Sequence, residues 1–327
     1  MKKQQKVNLT DVAKLAKVSC SAAGKVLNGG SDQIRVGAEA RKRILEAARQ
    51  LDYHPNMAAS ILAGGSSRLI GVFVDSFSHY RILRLLQEIE RLASEQGYRI
   101  ITSFSHDNIG NMKEDYQTLQ RYGVNSFICC SHDYPDLKDE VAELFKDAKN
   151  VVFMEKPCIP GMPYVRTSRL KALTAMIRDA YNQGYRRIGT MHGPPRALTE
   201  RTLHEEFLQA MAANGFKADE KLIFEYPKSP ADPQIQVHAA LEKMVRPYRP
   251  DFLFVDDAVC AVILRNELFN AGLNLTICGG DNDPLFKYVG MKSFDPCYEK
   301  MAGELLKLLL HPETRSENPA IECVYKK

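Results

Sequence analysis

The chain has 327 residues, 45% apolar and 26% charged, the balance of a folded globular protein rather than a disordered one. No apolar run reaches 18 residues, which excludes a helical membrane span. The net charge of +4 is uneven: residues 1–66 hold eleven Lys/Arg against five Asp/Glu, a net of +6, and the remainder holds 33 against 35. A basic head on a near-neutral body fits a polyanionic partner, with a solvated basic helix surface as the alternative.

Residues 7–51 carry three short helical patterns. Thr10 is placed to cap the first, with Asp11 in its first turn, and Val12, Leu15 and Ala16 fall on one face. Lys17-Val18 makes a turn. Ser19 caps a second helix with Ala22, Ala23, Val26 and Leu27 on one side, ended by Asn28-Gly29-Gly30. A third helix runs from about Ala38 to Leu51, with Ile44, Leu45, Ala48 and Leu51 inward. This helix-turn-helix spacing suits major-groove reading by the start of the second helix, or an ordinary helical hairpin in a core. Residues 56–63 can form two helical turns, too few to be stable alone in water. They read as a linker.

From Leu69 onward, apolar runs alternate with helical patterns. The runs are Leu69–Val74, Tyr98–Phe104, Ser126–Cys130 and Val151–Met154, then Arg187–Met191, Leu222–Phe224, Phe252–Val255 and Leu275–Cys278. Two series of βαβ units predict an α/β body of two doubly wound parallel-sheet lobes, joined near Tyr164–Ser168, beside an all-α head. A ligand cleft is expected at the carboxyl ends of the strands, between the lobes. The expected division is 1–54 for the helical head, 55–66 for the linker, and 67–327 for the two-lobed body.

Several words in order now carry a resemblance: Asp11-Val12-Ala13, Val18-Ser19, Val26-Leu27-Asn28-Gly29, Arg43-Ile44-Leu45-Glu46-Ala47-Ala48, Tyr53-His54-Pro55-Asn56, Leu62-Ala63-Gly64 and Leu69-Ile70-Gly71-Val72. The chain resembles the lac-repressor/galactose-repressor (LacI–GalR) family of bacterial transcription factors. The likeness is strong over residues 7–74 and looser beyond, where Gly184-Tyr185-Arg186-Arg187-Ile188-Gly189 is a further family-like word. It implies a helix-turn-helix head and a periplasmic-binding-protein-like body. On this resemblance the DNA-facing residues are Thr10, Ser19, Cys20, Ser21, Lys25, Asn28, Tyr53, Asn56, Ala59 and Leu62. Lys25 stands where the family usually has Arg; it reaches a guanine edge or a phosphate, without the planar fork. Leu62 matches a hinge leucine that wedges into the minor groove, and packing against the body or the partner hinge is the other reading. Ala22-Ala23-Gly24 replaces the family's Thr-Val-Ser, and Gly37 replaces a capping Ser.

For the body, the resemblance implies an effector site at Asp75, Tyr80, Ser168, Arg201, Tyr226, Asp256 and Asp281. Carboxylates accept from hydroxyl pairs, a guanidinium donates two bonds, and an aromatic ring covers an apolar sugar face. Arg201 as an exposed helix charge, Asp256 and Asp281 as helix caps, and Tyr226 as core remain open alternatives. Ser168 occupies the place of a usual pocket Asp, and Ala172 that of a Gly.

Other patterns are weak. His79, His106 and His132 lack i, i+4 ligand spacing, and Asp281-x-Asp283 lacks the rest of a calcium loop. Cys129-Cys130 reads as core. Cys20, at a helix N-terminus, is the cysteine most open to reaction. The eight cysteines form no Cys-x-x-Cys pair, and Lys2, Lys3 and Lys6 precede no apolar signal core, so a reduced cytoplasmic setting at the nucleoid is expected. No P-loop, dinucleotide-binding or nucleophile-elbow motif is present, and neither cofactor nor metal is expected. The expectation is a ligand-responsive repressor, not an enzyme. It binds a pseudo-palindromic operator as a homodimer and senses a small molecule of sugar type. A sugar-binding protein without a DNA role and an enzyme on a doubly wound fold are the rivals.

Overall fold

The computed structural model describes residues 7–28, 36–54, 67–74, 80–104, 108–131, 136–148, 150–193, 202–226, 232–315 and 317–326. The linker with Asn56, Ala59 and Leu62, the loop from Asp75, Arg201, and His79, His106 and His132 lie outside these residues, as do the side chains of Asn28 and Tyr80. The chain divides into two compact units, Met1–Leu69 with Thr118–Asn125, and Ile70–Gln117 with Ser126–Lys327.

Helix α1 (Leu9–Ala16) begins at Asn8, not at Thr10. Asn8 Oδ1 accepts from the Asp11 N–H at 3.2 Å, and the Asp11 carboxylate accepts from the Asn8 N–H at 3.0 Å. This reciprocal pair satisfies two open donors at once, so it outcompetes a cap at Thr10. The helix stops at Lys17, which is left-handed (φ 53°), and Val18 N–H donates back to Ala13 O at 3.0 Å. Ser19 caps α2 (Cys20–Asn28) by accepting from Ala22 N–H at 3.2 Å. Helix α3 (Ala38–Gln50) starts at Gly37 with no side-chain cap.

Val12, Ala13, Ala16, Ala23, Ile44, Ala47 and Ala48 form the head core. Leu15 and Leu45, expected inward, are 47% and 50% exposed. Ala13 and Ala47 occupy the buried faces instead, and small residues let helices approach closely. A Cβ at Gly24 would sit 3.2 Å from Leu9 Cδ2, a tight contact between α2 and α1.

In the body, lobe 1 contains β1 (Leu69–Val74), α4 (Tyr80–Glu95), β2 (Arg99–Phe104), α5 (Ile109–Arg121), β3 (Ser126–Cys129), α6 (Lys138–Phe145), β4 (Val151–Met154) and β5 (Tyr164–Ser168). Lobe 2 contains α7 (Leu170–Asn182), β6 (Ile188–His192), α8 (Leu203–Ala213), β7 (Ile223–Glu225), α9 (Pro233–Ala240, running on through a π-helical turn to Tyr248), β8 (Phe252–Val255), α10 (Ala258–Asn270), β9 (Thr276–Gly279), α11 (Phe286–Val289) and β10 (Lys292–Asp295). The chain then returns to lobe 1 for α12 (Tyr298–Leu310) and β11 (Ala320–Glu322), and ends in lobe 2 with β12 (Val324–Lys326). The sheet orders are β11-β5-β4-β3-β1-β2 and β12-β10-β9-β8-β6-β7.

Two corrections follow. The lobes are joined by three crossings, not by the one near Tyr164–Ser168, and the second sheet is not purely parallel, because β12 runs antiparallel to β10. Helix α12 belongs with α4: Met301, Leu305 and Leu309 share one core with Leu85 and Ile89. Each such side chain contributes roughly 1.5–3 kcal/mol on leaving water. On the other face of lobe 1, Phe73, Tyr116, Phe127, Phe145 and Phe153 interlock through ring contacts of 4.8–6.3 Å. These packed layers hold the strand ends in fixed register.

Candidate functional site

In the head, Ser19, Cys20 and Ser21 are exposed in the first turn of α2, and Lys25 is half-buried one turn on. Cys20 Sγ donates to Thr10 Oγ1 at 3.7 Å, so the starts of α1 and α2 are brought together. Tyr53 is half-buried with its ring against the head core, and burial pushes its phenol pKa up. Lys14, Lys17, Arg41, Lys42 and Arg43 are all exposed.

In the body, polar side chains gather where the first crossing meets the carboxyl edge of the lobe 2 sheet. Arg169 follows directly after β5. Its N–H donates to both carboxylate oxygens of Glu206 on α8, at 3.1 and 3.2 Å, and its Nε lies 3.6 Å from Asp256 Oδ1. Burial works against the guanidinium charge, but Asp256, Glu206 and Glu155 outweigh it, and the Arg169 pKa stays above its usual value. Glu206 itself is only 2% exposed. Asp256 follows β8, and the helix cap there is the neighbouring Asp257, whose Oδ1 accepts from Cys260 N–H at 2.8 Å.

A Cβ on Gly280 would overlap the Asp256 carbonyl oxygen and one on Gly279 the Phe286 ring, so the first serves a close backbone approach and the second a close ring contact. Asp281 is left-handed (φ 66°), and the N-caps of the helices that follow it are Leu285 and Cys297. Asp281 Oδ1 accepts from Tyr298 OH, the first residue of α12, at 3.5 Å. Ser168 is buried at the end of β5, and its hydroxyl donates to Glu322 Oε2 at 3.2 Å, which turns it to β11.

Tyr226 lies at the end of β7 with its ring packed in the core formed with α9 and α10. Burial above all, then Cys260, Asp257 and Asp256, hold its phenol well above the usual pKa. That placement favours the core reading of this residue over sugar stacking. The structure therefore brings Asp256 together with Arg169, sets Asp281 beside Tyr298, and gives Ser168 to the crossing. Sequence reasoning missed Arg169, Glu206 and His192. A capping box, Thr202 with Glu205, marks the start of α8 and was the one available signal for the position of Glu206.

Comparison with known proteins agrees with this architecture. Residues 8–56 match the bacterial regulatory proteins of the lacI family, and residues 68–276 match the periplasmic binding proteins and sugar binding domain of the LacI family. The sucrose operon repressor of Klebsiella pneumoniae is 26% identical over 261 residues, which span 80% of this chain and 76% of that protein. The catabolite repressor/activator of Escherichia coli K12 is 30% identical over 122 residues, 37% of this chain and 36% of that protein. Among solved structures, the lac repressor dimer bound to operator and the anti-inducer ONPF superposes with a TM-score of 0.75 at 19% identity, covering 99% of this chain and 98% of the other. A transcriptional regulator in complex with cellobiose gives 0.66 at 19% identity, with 98% of each chain covered. The chain belongs to the LacI family of bacterial regulatory proteins: it is a transcriptional regulator that couples a DNA-binding head to an effector-binding body.

Proposed function

We propose that this regulator is a homodimeric cytoplasmic repressor that binds a pseudo-palindromic operator and is switched by a small polyhydroxylated ligand, a sugar or sugar derivative. The observation that carries the sensing half is the crossing at Arg169, which ties lobe 1 to Asp256 and Glu206 at the carboxyl edge of lobe 2. A ligand held there bears on the hinge itself, so its binding energy biases lobe closure. That is the differential contact a two-state switch requires. Relatives named for the sucrose operon and solved with cellobiose support a saccharide.

At the DNA, Cys20, Ser21 and Lys25 read base edges, Leu62 wedges into the minor groove, and Thr10, Ser19, Asn28, Tyr53, Asn56 and Ala59 make further DNA contacts. In the body, Asp75, Tyr80, Arg201, Asp256 and Asp281 contact the effector. The test is gel retardation of genomic fragments with and without sucrose, cellobiose and glucose. A retarded complex that one of these sugars weakens or strengthens is expected. A complex indifferent to every sugar, or none at all, overturns the proposal.

A further inference from the structure

Three neighbouring strands of lobe 2, β6, β8 and β9, end together at the carboxyl edge, about 4.8 Å apart. Met191 pairs with Val255, and Val255 with Gly279. One step further, His192, Asp256 and Gly280 stand side by side, held by Asp256 N–H to Met191 O at 3.0 Å and Gly280 N–H to Val255 O at 2.8 Å. His192 is 1% exposed.

Its Nδ1 lies 2.7 Å from the Gly193 carbonyl oxygen. A carbonyl only accepts, so in the neutral ring Nδ1 carries the hydrogen and Nε2 is a bare lone pair. That Nε2 is buried and has no hydrogen-bond partner among the described residues, and the same holds for Thr190 Oγ1 two residues earlier on the strand. A buried acceptor left unmade is costly, and the few such atoms in native structures call for a partner.

We infer that His192 is a specificity residue of the effector site: Nε2 accepts a hydrogen bond from the ligand, selecting a molecule that presents a hydroxyl or amino hydrogen over one that presents phosphate or carboxylate oxygen. This rests on the reading of the body as a sugar sensor. The neighbours point the same way. Asp256, in register with His192, is a carboxylate, and Asp281 adds a second two residues past β9. Carboxylates retain acceptor capacity even when one lone pair is engaged, as Asp256 is with Arg169. Gly280, beside Asp256 in register, lets the two strand ends approach closely, the Asp256 carbonyl oxygen taking the space a side chain would need.

The row is thus acceptor-rich, and a hydroxyl-rich or amino sugar meets it with donors. An anionic sugar brings like charge against Asp256 and Asp281. The same geometry makes binding pH-dependent. Burial lowers the His192 pKa, the Gly193 carbonyl, Asp256 and Glu225 oppose that, and His204 on α8 reinforces it. The ring is therefore neutral at pH 7. Protonation turns the acceptor into a donor, so affinity falls as pH drops below the folded-state pKa, which lies under the usual 6.5.

The experiment is calorimetry of wild type, His192→Phe and His192→Gln with glucose, glucosamine, sucrose, cellobiose and glucose 6-phosphate. Gln places an amide oxygen near the position of Nε2, whereas Phe keeps the ring and loses the acceptor. The expected result is binding of at least one neutral or amino sugar and none tighter for glucose 6-phosphate. His192→Phe should lose about tenfold or more and His192→Gln about threefold or less. Wild-type affinity should fall from about pH 8 to about pH 5, a change a purely structural role would not produce. If His192→Phe does not fold, as judged by operator retardation, the Gln variant and the wild-type pH profile decide. A tight sugar complex unaffected by His192→Phe and flat in pH overturns the role of His192 while leaving the sensor reading intact. Preference for glucose 6-phosphate overturns the donor selection, and no binding of any sugar to wild type overturns the sensor reading and this inference with it.

Discussion

The backbone N–H of Arg169 donates to both oxygens of the Glu206 carboxylate, at 3.1 and 3.2 Å. Arg169 is the first residue past lobe 1, and Glu206 sits in the first turn of α8 in lobe 2. A buried carboxylate therefore fixes the point where the chain enters the second lobe, and it also offsets the Arg169 charge a few ångströms from the Asp256 partner.

Glu206→Ala removes the acceptor and leaves a buried N–H and a less compensated guanidinium. The expected loss is about 1–3 kcal/mol of unfolding free energy, read by urea denaturation. Glu206→Gln recovers part of it, since the amide oxygen still accepts one bond. Equal stability of the Ala variant and wild type would show that Glu206 contributes nothing to the crossing.

At Gly280, a methyl group has no space because the Asp256 carbonyl oxygen already occupies it. Gly280→Ala should cost about 1–3 kcal/mol through overpacking. It should also displace Asp256, so sugar affinity by calorimetry falls together with the denaturation midpoint. A stable variant with altered affinity alone would mean that the strand ends yield more easily than the packing implies.

In the head, Asn8 and Thr10 separate two assignments of one cap. Asn8→Ala should lower head stability by about 0.5–2 kcal/mol, because both halves of the reciprocal pair are lost. Thr10→Ala should stay within about 0.5 kcal/mol, and instead weaken operator binding. Thermal melting monitored by circular dichroism, beside gel retardation, distinguishes them; reversed stabilities would return the cap to Thr10.

Lys25→Ala should weaken operator binding by about 1–3 kcal/mol and relax preference at one base pair per half-site. Binding should also fall steeply with salt, since the head's cations displace phosphate counterions. Titrations against single-substituted operators check this, and a uniform loss on every sequence assigns Lys25 to a phosphate.

Much of this fold was legible. Leu69–Val74, Val151–Met154 and Phe252–Val255 agree residue for residue with the observed strands, because strands covered on both faces read as unbroken apolar runs. The later strands were not legible. Lys292–Asp295 mixes charge with one aromatic, and Ala320–Glu322 and Val324–Lys326 are three residues each at sheet edges, where half-exposed positions carry polar side chains. Without them the return of α12 to lobe 1 had no visible cause. Leu15 and Leu45 misled because spacing alone does not say which of two adjacent helix stripes carries the close approach. At the site, Asp256 and Asp281 were expected from the family resemblance, whereas Arg169, Glu206 and His192 were not singled out. Their significance comes from burial and from which partner each nitrogen or oxygen meets, and neither is written in a local pattern.

The third crossing is bound edge to edge with the other two. Ser168 pairs with Glu322, Asp295 pairs with Val324, and Cys323 N–H donates to Ser168 O at 2.8 Å between them. Cys323 is the single residue between β11 and β12. Strands laced side by side behave as a strap: bending across the lacing needs only small torsions at a few residues, whereas sliding one strand along another breaks several hydrogen bonds at once. Motion of one lobe against the other that keeps these pairs intact bends across the lacing and does not slide along it.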